Sequence, residues 1–232
     1  GVKAEEVICG NGAAEVIFTL CHAVKPKRAL IPAPTFAEYG QALASTGCEL
    51  EYYMLTENDG FVLSEAYLDI LHKGLDMAFL CNPNNPTGML IPHRLLKRIL
   101  EKCRKLDILL VVDECFLDFV KEPEEYSLKR SLSGFNNLFI LKAFTKRYAI
   151  PGVRLGYGLC SDRKLLERME LCVQPWNVST MAQAAGLQAL TETEYVEEGR
   201  QLVFREAQWL KDELARIGYK VFPSEANYIF FK

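Results

Sequence analysis

The chain has 232 residues, half of them apolar and a quarter charged, with a formal net charge of −3. That balance excludes a disordered chain, and a small acidic excess with no basic stripe makes nucleic acid and anionic membrane surfaces poor partners. No apolar run approaches the roughly 20 residues of a bilayer span, and the eight cysteines form no C-x-x-C pair but sit mostly in apolar runs, which reads as buried thiols of a cytoplasmic protein.

In chain order, Val7, Ile8 and Cys9 form a short apolar run stopped by Gly10-Asn11-Gly12, and Val16, Ile17, Leu20 and Val24 then recur at helical spacing. Residues 28–32 read as a buried strand, 36–46 as a helix stopped at Gly47, and 49–55 as a partly alternating strand. A short helix is expected over 64–71 with Ser64 as its N-cap. A strand over 76–81 ends in a cluster of Asn and Pro. An amphipathic helix over 91–105 follows, with Leu95, Ile99 and Cys103 on one face, and 108–112 is the clearest buried strand. Strands are expected over 138–141 and 155–159. Helices follow over 163–171, 180–190 and 195–217, the last stopped at Gly218. Two final strands are expected over 219–222 and 227–231.

Strands alternating with helices predict a three-layer α/β/α domain with a mostly parallel sheet covered on both faces, spanning 1–190. Residues 191–232 then read as an interdomain helix and the start of a small α+β C-terminal domain. The chain stops inside an apolar strand, which reads as a piece of a longer polypeptide.

In an open α/β sheet the ligand sits beyond the carboxyl ends of the strands. The Gly-rich turn 10–12 leads into a helix, where bare N–H groups attract an anion. The dinucleotide pattern G-x-G-x-x-G is not completed, because residue 15 is Glu. Asp113 ends the most apolar strand, where a carboxylate calls for a cationic partner. Lys146 follows the next strand beside Phe144, Tyr148 and Ile150, a setting in which a lysine can act as a nucleophile toward an aldehyde. Each feature alone has an ordinary reading as a tight turn, a surface carboxylate or a solvated lysine. Together with Phe36, Asn85 and Arg154 they are the parts that hold pyridoxal phosphate: an amine, a carboxylate for the ring nitrogen, an amide for the ring oxygen, an aromatic face and a phosphate cradle.

Asn82-Pro83-Asn84-Asn85-Pro86-Thr87-Gly88, Val112-Asp113-Glu114, and Thr145-Lys146 with Pro151-Gly152-Val153-Arg154-Leu155-Gly156 resemble, in order and spacing, the motifs of the fold-type I pyridoxal-phosphate enzymes, the aspartate aminotransferase superfamily. Two branches compete, histidinol-phosphate aminotransferases and cobalamin-pathway L-threonine-O-3-phosphate decarboxylases. Phe36-Ala37-Glu38-Tyr39-Gly40, Gly47-Cys48-Glu49, Tyr148-Ala149-Ile150-Pro151-Gly152, Gln174-Pro175-Trp176-Asn177-Val178 and Ala226-Asn227-Tyr228 look like the decarboxylases. So does Phe116, at a position where the aminotransferases usually carry a tyrosine that bonds the ring oxygen.

The resemblance implies a Schiff-base lysine at Lys146, a partner for the ring nitrogen at Asp113, a ring-oxygen ligand at Asn85 and a stacking ring at Phe36. It implies a phosphate site built from Arg154 and the backbone of Gly12 and Ala13. It further implies a small amino-acid phosphate as substrate, decarboxylation to (R)-1-aminopropan-2-yl phosphate as the reaction, with amino transfer as the alternative, and a homodimer. No metal ligand set is expected. Ala143 stands where many relatives place a phosphate-binding Ser or Thr, so either one phosphate hydrogen bond is missing or Thr145 supplies it. The family's N-terminal arm and most of its small domain, which bind the substrate's carboxylate and phosphate, have no counterpart here, so the chain by itself is expected to bind cofactor with little activity. A non-catalytic regulatory domain is the third reading. His22, His72 and His93 lack metal-ligand spacing, and Trp176 and Tyr39 read as packing residues.

Overall fold

The computed structural model describes residues 2–232. Its seven strands are β1 (Val7–Gly10), β2 (Arg28–Ala33), β3 (Glu49–Met54), β4 (Met77–Cys81), β5 (Leu109–Asp113), β6 (Leu138–Ala143) and β7 (Gly156–Cys160). Among the described residues nine α-helices accompany them: α1 (Ala13–Val24), α2 (Ala37–Ala44), α3 (Tyr67–Ile70), α4 (His93–Leu106), α5 (Pro123–Tyr126), α6 (Phe144–Arg147), α7 (Arg163–Glu170), α8 (Thr180–Ala189) and α9 (Thr193–Arg216).

The strands make one sheet in the order β1-β7-β6-β5-β4-β2-β3. Strands β6, β5, β4, β2 and β3 run parallel, and β7 is antiparallel to both of its neighbours. This is the expected mostly parallel sheet with one strand reversed. The reversal matters for chemistry. The amino end of β7, and Arg154 just before it, lies beside the carboxyl ends of the parallel strands, with Gly156 paired to both Gly10 and Ala143.

Alternation along each strand sorts its side chains to opposite faces. Phe79, Val111 and Phe139 pack with Val16, Leu20 and Leu165 on the face covered by α1, α2 and α7. Leu80, Val112 and Ile140 pack with Leu95, Ile99 and Cys103 on the face covered by α3 and α4. Because both faces are covered, β4 is buried at every position, which is why its sequence is a continuous apolar run.

Several expectations fail locally. Ser64 caps nothing: the helix starts at Tyr67, and the predicted span 64–71 shrinks to one turn. The predicted strands at 219–222 and 227–231 reduce to a single bridge, Val221 to Phe231, since no sheet edge adjoins them. Trp176 does not pack; it is 95% exposed with φ +59°. Six of the eight cysteines are buried, but Cys9 and Cys172 are exposed, and none is in a disulfide among the described residues. No helix among the described residues is long and apolar enough to cross a membrane.

Candidate active site

The carboxyl edge of the sheet carries a cleft of about 580 Å³ including its mouth, within the usual range of small-molecule sites. The residues expected from sequence converge on it. Ala13, Phe36, Asn85, Asp113, Thr145, Lys146 and Arg154 all line it, although they are spread over more than half of the chain. Gly12 lies behind Arg154, its neighbour in the wall.

One end of the cleft is built for an anion. Gly12 is the N-cap of α1 and offers no side-chain cap, so the first N–H groups of this 12-residue helix are left for a ligand. Its φ of +89° suits glycine, and a Cβ there would stand 2.5 Å from Nη2 of Arg154. Only glycine lets the guanidinium lie against the turn. Gly156 does the same from below, since a Cβ on it would collide with the backbone of Gly12 and Ala13. Arg154 itself is held in a left-handed conformation (φ +59°), with Nη1 donating to the Pro151 carbonyl at 3.0 Å. Glu15 closes the outside of the turn, accepting from the Asn11 amide at 2.6 Å and from Nδ2 of Asn177 at 2.8 Å.

The other end is acidic. Asp113 is buried at the end of β5, and its Oδ1 accepts from the Cys115 amide at 2.9 Å. Its Oδ2 accepts from the Tyr39 hydroxyl at 2.6 Å. No cation pairs with it among the described residues. Asn85 is carried by a loop whose other asparagines are fully used: Asn82 Oδ1 takes the Ile91 amide at 2.8 Å, and Asn84 bonds Thr35, Thr87 and the Pro34 carbonyl. The Asn85 side chain has no such partner among the described residues and faces the cleft. A segment near the chain end fastens this loop, with Tyr228 donating to the Asn84 carbonyl at 2.9 Å and the Glu225 amide to Gly88.

Lys146 lies in the single-turn helix α6, exposed, with Nζ 5.2 Å from the centre of the Phe116 ring. Its neighbour Arg147 bonds Asp118 at 2.8 Å, and Asp118 lies 3.6 Å from Nζ of Lys142. Lys142 also lies 3.5 Å from the fully buried Glu114, which follows Asp113. Burial pushes the Glu114 carboxyl up, against the pull of Lys142. For Lys142 burial acts downward, but Glu114 and Asp118 outweigh it and hold the ammonium above its ordinary range. The segments bearing Asp113 and Lys146 are thereby braced to each other from behind.

Sequence reasoning missed the hydrogen bond of Tyr39 and the cleft-lining Cys81 and Cys115. A signal existed for the first: Tyr39 stands three residues after Phe36, at a spacing that turns two side chains to the same side of a helix. The thiols carried no signal beyond their apolar strands.

The cleft thus has an anion cradle at one end and an unpaired buried carboxylate at the other, with an amine and aromatic rings between. Pyridoxal phosphate, with a phosphate, an aldehyde and a basic ring nitrogen in that order, fits this arrangement.

The whole chain, residues 1–232, matches the family model for aminotransferase class I and II. It is 40% identical to a threonine-phosphate decarboxylase from Salmonella typhimurium, over 100% of this chain and 63% of that protein. It is 33% identical to a histidinol-phosphate aminotransferase from Leuconostoc mesenteroides, over 100% of this chain and 64% of the relative. The chain therefore spans less than two thirds of the length of these relatives. Among solved structures, the histidinol-phosphate aminotransferase from Clostridium acetobutylicum superposes with a TM-score of 0.89 at 28% identity, covering 97% of this chain and 66% of the other. The chain belongs to the class I and II aminotransferase family, whose members use pyridoxal phosphate.

Proposed function

We propose that this chain is the cofactor-binding part of a pyridoxal-phosphate-dependent carboxy-lyase that converts L-threonine O-3-phosphate to 1-aminopropan-2-yl phosphate and carbon dioxide. The observation that carries the choice of branch is the 40% identity to the Salmonella typhimurium decarboxylase along the full chain, against 33% for the Leuconostoc mesenteroides aminotransferase. Phe116 agrees with it, as a cleft wall that offers no hydroxyl.

In this reading Arg154 and the free N–H groups of α1 from Ala13 onward would hold the cofactor phosphate, with Thr145 adding its hydroxyl; the Gly12 amide, expected to join them, is instead bonded to the Gly10 carbonyl at 2.8 Å. Phe36 would lie against the ring, Asn85 would donate its amide to the ring oxygen, and Asp113 would accept the ring N–H. Lys146 would supply the amine for the aldehyde. When bound, the cofactor supplies an electron sink for the pair released at the substrate's Cα. Asp113 would hold the proton on the ring nitrogen, and Nζ of Lys146 would be placed to deliver a proton to the substrate's Cα. Residues 1–190 form the cofactor domain, residues 191–232 begin a smaller one, and the enzyme works as a homodimer on a small amino-acid phosphate.

Amino transfer is the second reading, because the same cleft residues serve both reactions and the Clostridium acetobutylicum aminotransferase shares the fold closely. Which bond at Cα breaks depends on how the substrate's carboxylate is oriented. The test uses the intact polypeptide with pyridoxal phosphate and L-threonine O-3-phosphate, without a keto acid. Release of carbon dioxide and aminopropanol phosphate, abolished by Lys146→Ala, is expected. No release, with amino transfer from histidinol phosphate once 2-oxoglutarate is added, overturns the decarboxylase in favour of the aminotransferase.

A further inference from the structure

The Tyr39 hydroxyl has a place in the cleft that its packing does not require. Its ring is fully buried and stacks on Phe79, with centroids 4.9 Å apart and planes 19° from parallel. That contact needs only a phenyl group. The hydroxyl, however, reaches Oδ2 of Asp113 across 74 residues of sequence at 2.6 Å, the length of a charge-assisted bond. The other carboxylate oxygen is held by the amide of Cys115 at 2.9 Å. Two donors from two different elements thus fix the plane of the carboxylate, one from its own strand end and one from α2.

The phenols and thiols around this carboxylate keep their protons. Burial raises the Tyr39 phenol well above its ordinary range, and the nearby carboxylate raises it further, so the phenol keeps its proton and can only donate. Burial likewise raises the Cys81 thiol from β4, the Cys115 thiol beyond β5 and the Tyr228 phenol from the C-terminal segment. Lys142 is turned to Glu114 and Asp118, and Lys146 lies over Phe116.

We propose that Tyr39 is the positioning residue of Asp113, the donor that holds this carboxylate in one orientation so that its oxygens meet the N–H of the ring nitrogen. The proposal rests on the pyridoxal-phosphate reading of the cleft. It also gives the first turn of α2 a double role. Phe36, its N-cap, faces the cleft, while Tyr39 in the same turn reaches the residue behind it. The two rings meet edge to face at 5.5 Å, so movement of one is felt by the other.

The test compares two ligands on the wild-type protein and on Tyr39→Phe, which keeps the ring that stacks on Phe79. Pyridoxine 5′-phosphate binds without bonding Lys146, so its dissociation constant reports the cleft alone. The second ligand is its carbocyclic analogue, in which CH replaces the ring nitrogen. Tyr39→Phe is expected to weaken pyridoxine 5′-phosphate by roughly tenfold or more, the usual worth of a hydrogen bond to a charged group. The analogue should bind both proteins equally, which also reports that the variant's cleft is intact. In an Asp113→Asn background Tyr39→Phe should add no further loss. Equal affinity of both proteins for pyridoxine 5′-phosphate, or an equal loss for both ligands, overturns the positioning role. A wild-type protein that binds neither ligand overturns the cofactor reading and the proposal with it.

Discussion

Two stretches of this chain carry large apolar side chains and meet very different fates. At the centre of the sheet, β4 is buried at all five positions and pairs with β5, which pairs in turn with β6. At the C-terminal end, α9 runs for 24 residues with Val196 as its one buried side chain. Tyr195, Leu202, Trp209 and Leu210 on it are between 41% and 60% exposed. The segment beyond α9 makes one bridge and is fastened by polar contacts, from Lys220 and Lys232 to Glu57 and from Tyr228 to the Asn84 carbonyl, and by Phe222 and Phe230, which meet the Phe61 ring edge to face. An apolar pattern names an element, but stability comes from a second layer over the apolar face. The proposed cofactor residues all ride on the first stretch or on loops anchored to it, where position is fixed by packing.

The largest expected effect breaks that packing at its centre. Phe79 is fully buried and lies under Tyr39, so Phe79→Ala should lower stability by about 3–5 kcal/mol. Urea denaturation followed by circular dichroism measures it. A loss under 1 kcal/mol would mean that the centre of the sheet is no better packed than its C-terminal end.

A smaller effect probes the charged brace behind the cleft. Lys142→Met leaves Glu114 fully buried with only the Ser127 hydroxyl and the Leu128 amide as donors, and should destabilise by about 3 kcal/mol. Adding Glu114→Gln should recover much of the loss, because no buried charge is then left unpaired. A double variant as unstable as the single one would show that the brace acts through packing of the Lys142 stem and not through charge.

This comparison also explains what could be read from the sequence. Strands buried on both faces appear as unbroken apolar runs, so β4, β5 and β6 were legible to within one or two residues. The residues after them were legible as a set because an open parallel sheet delivers its strand ends to one edge. The bond between Tyr39 and Asp113 was half legible: the spacing from Phe36 turns Tyr39 to the same side, but nothing local names a carboxylate 74 residues away as its partner. Ser64 looked like an N-cap, but the helix begins at Tyr67, whose ring is buried against Tyr53. The strands expected at 219–222 and 227–231 have the right alternation, yet a strand is defined by its neighbours, and here each finds only the other. Trp176 misled for a related reason: its size argues for burial, while the turn it occupies holds it clear of any layer.

The smallest expected effect sharpens the contrast by pH. Glu57 accepts hydrogen bonds from Lys220 at 2.9 Å and Lys232 at 3.0 Å, and these bonds, more than burial, set its carboxyl below the ordinary glutamate range. A depressed carboxyl contributes its stabilisation above the unfolded value, near 4.5, and loses it as pH falls through the folded one. The clamp on the C-terminal segment should therefore hold at neutral pH and release in acid, and the pair is exposed enough that the effect stays local. Hydrogen-exchange protection of the Lys220, Phe222 and Lys232 amides, whose bonds make the bridge, should fall between pH 6 and pH 3.5 while that of the β5 amides stays ahead of it. Glu57→Gln should lower the protection at pH 6 and remove its pH dependence. If the bridge amides instead lose protection together with β5, the two stretches unfold as one unit, and the polar clamp is not what separates them.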